Sequence, residues 1–81
     1  MENMTDRLKE IYGEVDESYI GKIVSFPRPD VEFEHIGRVI DVSKCGTSYY
    51  VFVKNKYHAF SSRHFWFSAR NVSLQPANLQ Y

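Results

Sequence analysis

The chain has 81 residues, ten acidic and ten basic side chains, a formal net charge of zero, 43% hydrophobic and 16% aromatic residues, and a single cysteine. That length holds one domain with a modest core, about 60 to 65% of the unfolded surface being buried on folding, which excludes a large interdomain cleft. The composition excludes a disordered linker, the lone Cys45 excludes an internal disulfide, and no run approaches the roughly eighteen apolar residues of a membrane span.

Met4, Leu8, Ile11 and Val15 recur at spacings of four, three and four, the stripe of a short amphipathic helix. Asn3 or Thr5 is placed to cap it, Asp6 suits its first turn, and Gly13 is placed to end it. So short a helix is marginal alone, so the stripe must dock on the domain or on a partner. Residues 1–18 therefore read as a helix and an acidic linker. The alternating charge of the first ten residues holds no export-type apolar run, and a cytoplasmic setting is expected.

From Tyr19 the residue types change to β-branched and aromatic runs separated by turn clusters. A first strand over 19–26 stops at Pro27-Arg28-Pro29-Asp30, where two prolines remove backbone donors. A second over 36–43 leads to the turn Lys44-Cys45-Gly46-Thr47, and a third covers 48–54. The fourth is expected over 57–61 and the last over 71–74, before Pro76. Residues 62–70 either extend the fourth strand or form an irregular loop that enters a 3₁₀ turn at 68–71. On a strand the rings of Phe65-Trp66-Phe67 cannot all face inward, so Trp66 is expected at the surface, either as an interface anchor beside Arg63 and His64 or as a plug for an open end. The fold class is mainly β: a small SH3-like five-stranded barrel over 19–76, preceded by the helix and followed by a tail at 77–81.

The succession Gly21-Lys22-Ile23-Val24-Ser25-Phe26, Ile36-Gly37-Arg38-Val39-Ile40-Asp41-Val42 and Val51-Phe52-Val53 resembles the KOW-type members of the SH3-like barrels. The resemblance covers 20–54 in pattern and 55–75 in length and strand order. Arg28-Pro29, Ile36-Gly37-Arg38-Val39 and Val51-Phe52-Val53-Lys54 are also similar to the SH3-like barrel protein of photosystem I. That family's acidic ending is replaced here by Arg70-Asn71, and the helical leader is extra. Both resemblances imply a fold; one small barrel hosts many roles.

Charge and aromaticity divide the chain. All ten acidic residues lie at or before Asp41, whereas the forty that follow carry five cations and nine of the thirteen aromatics. Cations among rings supply charge attraction and stacking together, which favours a binding module over an enzyme. On the third strand the small side chains of Val51 and Val53, with Tyr49, suit the interior, which leaves Tyr50, Phe52 and Lys54 outside; His58 and Phe60 are expected beside them on the fourth strand. The candidate contact residues are Tyr50, Phe52, Lys54, Lys56, His58, Phe60, Arg63, Trp66 and Arg70. Their chemistry fits RNA or single strands, each stacked base contributing about 1 to 3 kcal/mol. The competing reading has the Met4, Leu8 and Ile11 stripe cover Tyr50 and Phe52 as a second small core.

A protein partner stands at nearly equal weight. It would meet the same cations with an acidic surface, or the acidic turn from Asp30 to Glu34 with a basic one, as in a small phage- or virus-type inhibitor that occludes a host protein. Weak self-association through the two charge halves is a third possibility. No catalysis is expected: His35, His58, His64 and Cys45 lack metal-ligand spacing, and no glycine-rich phosphate loop is present. The clusters Glu14, Asp16, Glu17 and Asp30, Glu32, Glu34 lack the glycine-containing loop of a calcium site. No cofactor, small-molecule substrate or membrane partner is expected.

Overall fold

The computed structural model describes residues 4–27 and 30–76, the side chain of Thr5 excepted. The candidate cap Asn3, the side chain of the other candidate Thr5, the pair Arg28-Pro29 and the tail 77–81 lie outside this description. A helix α1, Met4–Tyr12, precedes five strands: β1 Ile23–Ser25, β2 Phe33–Val42, β3 Ser48–Asn55, β4 Arg63–Ser68 and β5 Ser73–Leu74. Single 3₁₀ turns stand at Glu17–Tyr19, Ala59–Ser61 and Ala69–Asn71. The fold is mainly β, one antiparallel sheet in the order β4-β3-β2-β1-β5. It is open rather than a closed barrel, with β4 and β5 as its edges. No described helix is long and apolar enough to cross a membrane.

The alternation of β3 sets the layers. Tyr49, Val51 and Val53 are buried and face inward, while Tyr50, Phe52 and Lys54 face out, as the sizes of these side chains lead one to expect. The sheet curls over its inner face until Phe26, just past β1, stacks on Phe67 of β4 with ring centroids 4.2 Å apart, although β2 and β3 lie between those strands. Phe33 meets Phe65 edge-on at 5.2 Å, so the two inward rings of β4 close the core from its open side. Gly37 makes this curl possible. A β-carbon there would lie 2.5 Å from the Phe52 carbonyl oxygen and 2.7 Å from a Val51 methyl.

Strand β2 carries an extra residue. Val39 pairs with Val51 but Asp41 pairs with Tyr50, so Ile40 is a bulge, and a second irregularity lies between Phe33 and Gly37. The shift turns Asp41 outward and lets Val42 pack against the core beside Val15 and Tyr19.

Three expectations need correction. The first strand is shorter than 19–26, because the Asp16 carboxylate accepts from the Ser18 amide at 2.9 Å and starts a 3₁₀ turn that sets Tyr19 against the Tyr49 ring. The fourth strand is 63–68 rather than 57–61. Asn55 is the cause: its buried side-chain oxygen accepts from the amides of Tyr57 (2.8 Å) and His58 (2.9 Å), and its own amide donates to Ser62 Oγ at 3.2 Å, which folds 56–62 into a loop. The third concerns the helix. Met4 is 78% exposed and Ile11 49% exposed, so the stripe forms no lid, and of its members only Val15, beyond the helix end, packs on the core.

What holds α1 lies at its last turn. Gly13, at φ +88°, donates to the Lys9 carbonyl at 2.9 Å and sits so close to the Ala69–Asn71 turn that a β-carbon would lie 2.8 Å from the Arg70 amide nitrogen. The Val15 amide donates to the Gly46 carbonyl at 2.9 Å, and the Arg70 guanidinium donates to the Ile11 carbonyl at 2.7 Å. The helix is therefore tethered beside the 44–47 turn.

Candidate functional site

Residues directly opposite on antiparallel strands share a face, and the register of β3 with β4 sets Tyr50 against Trp66 and Phe52 against His64. All four point outward. Their rings form a column in the order Trp66, Tyr50, His64, Phe52, with centroid separations of 4.7, 4.9 and 5.2 Å. Tyr50 and His64 lie nearly parallel at 13°, so their faces are spent on each other. Trp66 ends the column; its one ring neighbour among the described residues is Tyr50, and it remains 55% exposed.

Charge surrounds this column unevenly. Lys54 follows Phe52 on the outward face of β3, and Arg63 opens β4 opposite Val53. On β2 Arg38 lies opposite Phe52, its guanidinium donating to the Gly21 carbonyl at 2.6 Å. Beyond Arg38 a shallow groove of about 360 Å³ continues over Lys22, Ile23, Leu74 and Pro76. Asp41, opposite Tyr50, is among the described residues the one carboxylate paired in register with the column, and its oxygen accepts from the Val42 amide at 2.8 Å.

The structure thus divides the nine candidate residues. Tyr50, Phe52, Lys54 and Trp66 share the outward face, whereas Arg63, opposite the buried Val53, takes an inward register position at the edge of the sheet and is exposed. His58 and Phe60 are not beside Tyr50 and Phe52; with Lys56 they occupy the exposed loop that Asn55 organises, where Phe60 is fully exposed. Arg70 is engaged at the far end with the Ile11 carbonyl. His64, absent from the candidates, takes the place expected for His58. Its signal was present in the sequence: once Trp66 points outward on a strand, the residue two before it must do the same.

A second polar cluster lies in the turn after β2. Cys45 Sγ lies 2.9 Å from Thr47 Oγ1 and 3.5 Å from Ser43 Oγ, and Ser43 Oγ accepts from the amides of Thr47 and Ser48 at 3.1 Å each. The Thr47 hydroxyl, and after it that of Ser43, favours the thiolate and lowers the thiol pKa. Cys45 is therefore expected to react with a thiol reagent with a midpoint below that of an unperturbed cysteine, and Thr47→Val should move that midpoint upward. Stopped-flow rates against pH check this; a midpoint unmoved by Thr47→Val contradicts it. Among the described residues no three of His, Cys, Asp and Glu gather as a metal-holding group.

Comparison with protein-family models, with curated proteins and with solved structures finds no match for this chain.

Proposed function

We propose that the protein is a non-catalytic binding module that takes single-stranded nucleic acid, RNA or unpaired DNA, on the outward face of β3 and β4. The observation that carries this reading is the ring column of Trp66, Tyr50, His64 and Phe52, left without a helical lid and set in a stretch with no acidic residue after Asp41. An unpaired base stacks on the open side of Trp66 and extends the column, while Arg38 and Lys54 attract phosphates. Duplex major groove is a poor fit, because α1 mixes Arg7 and Lys9 with Asp6 and Glu10 and offers no basic recognition face. The return of β5 to pair with β1 supports the SH3-like reading of the fold.

Trp66 is the only tryptophan, so its fluorescence reports on the site directly. Titration with oligo(U), oligo(dT) and a duplex is expected to quench it with the single strands first. The logarithm of affinity should fall against log salt with a slope of about −1.4, roughly 0.7 for each of the two cations. No quenching and no binding near 50 mM salt would sink the proposal.

One observation favours a protein partner as the second reading. Val31, Tyr57 and Phe60 are strongly exposed on the β1–β2 and β3–β4 loops, which the Lys56 amide ties together by donating to the Glu32 carbonyl at 2.7 Å. Apolar tips on two joined loops are what a protein surface buries. Retention of a partner after nuclease treatment, lost in Phe60→Ala, would select this reading.

A further inference from the structure

The two edges of the sheet are protected very differently. β5 is two residues long, and its continuation is pinned by the Gln75 amide on the Ile23 carbonyl at 3.0 Å and followed by Pro76. β4 is six residues long and pairs with β3 in unbroken register from Ser68 to Arg63. It has no proline, bulge or acidic residue, and among the described residues no backbone hydrogen bond from another segment reaches its outer side. Such an edge presents a row of unpaired amides and carbonyls, the template on which another strand adds.

We infer that β4 pairs with β4 of a second copy of this chain, antiparallel about a twofold axis, to make one continuous ten-stranded sheet. Three features of the strand make it self-complementary. A twofold pairing that keeps outward residues on one side must centre on Phe65 or on Trp66, and either choice sets outward rings beside outward rings. The inward rings of Phe65 and Phe67, half-buried at the open side of the core, gain a cover from the same rings of the second copy. Finally, the two Arg63 side chains fall at opposite ends of the joined strands, about 13 Å or more apart along them, farther than the screening length at physiological salt. The contact is smaller than the roughly 800 Å² per partner of a standard interface, so the dimer is weak, with a Kd of about 10 μM to 1 mM.

Sedimentation velocity and amide hydrogen exchange on the full chain between about 5 μM and 1 mM test this. The expected result is a mass that rises from 9.5 kDa towards twice that value, with exchange of β4 amides slowing as concentration rises. Trp66→Lys sets a charge against the outward residues of the second copy and should weaken association at least about tenfold with an unchanged circular dichroism spectrum. If that variant misfolds, the dilution series on the unaltered chain decides alone. A mass fixed at that of the monomer up to about 1 mM would overturn the inference, as would a dimer whose β4 amides exchange as they do in dilute solution. A dimer dispersed by salt without β4 protection would also overturn it, in favour of pairing between the acidic and basic halves.

Discussion

Gly37→Ala is expected to cost about 3 kcal/mol of stability, a large share of the 5 to 15 kcal/mol that holds a domain of this kind together. The added methyl would meet the Phe52 carbonyl oxygen at 2.5 Å, a Val51 methyl at 2.7 Å and the Phe26 ring at 3.2 Å. The first of these is backbone and cannot swing aside. Relief requires β2 to move away from β3, which opens the curl that brings Phe26 onto Phe67. In thermal unfolding the midpoint should fall by at least about 12 °C. A fall below about 4 °C would mean that β2 relaxes without losing the curl, and that the close approach is not a constraint.

Trp66→Ala is expected to weaken single-strand binding by about 1 to 3 kcal/mol, roughly 5- to 150-fold, while stability changes little because the ring is more than half exposed. Tyr50→Ala should act in the same direction by breaking the column. Phe60→Ala and Arg70→Ala serve as contrasts, since the structure puts one on the 56–62 loop and the other against the Ile11 carbonyl. Anisotropy of a labelled oligonucleotide measures all four without using the tryptophan signal. If Phe60→Ala and Trp66→Ala prove equally damaging, the column is not the contact surface and the loop reading gains.

How much of this was legible in the chain depended on whether the pattern of residue types alone decided the outcome. The helix followed from its stripe and from Gly13, and the faces of β3 from the alternation of the small Val51 and Val53 with the large Tyr50, Phe52 and Lys54. The position of β4 was not legible, because Tyr57 to Ser61 has strand-like composition and what prevents the strand is a hydrogen-bonded side chain, Asn55, whose role depends on the local path of the chain. That one displacement moved His58 and Phe60 off the face and brought His64 onto it. Likewise the stripe of α1 correctly indicated a helix but not a lid. Periodicity says that a face wants cover; the tethers from Gly46 and Arg70 decide where the helix sits.

The bulge at Ile40 also bears on how β2 can change over time. Along an ordinary strand, loss of one residue exchanges the inner and outer faces of everything beyond it, and a buried valine trades places with a carboxylate. Position 40 is different, because the residue there is already surplus to the pairing between Val39 with Val51 and Asp41 with Tyr50. Removing it leaves both pairs on their present faces. Removing Arg38 would instead set Val39 opposite Phe52, on the outward face. The bulge at Ile40 is therefore a site where the length of β2 can vary without inverting the layers, and it lies next to Asp41, the residue opposite Tyr50 of the ring column.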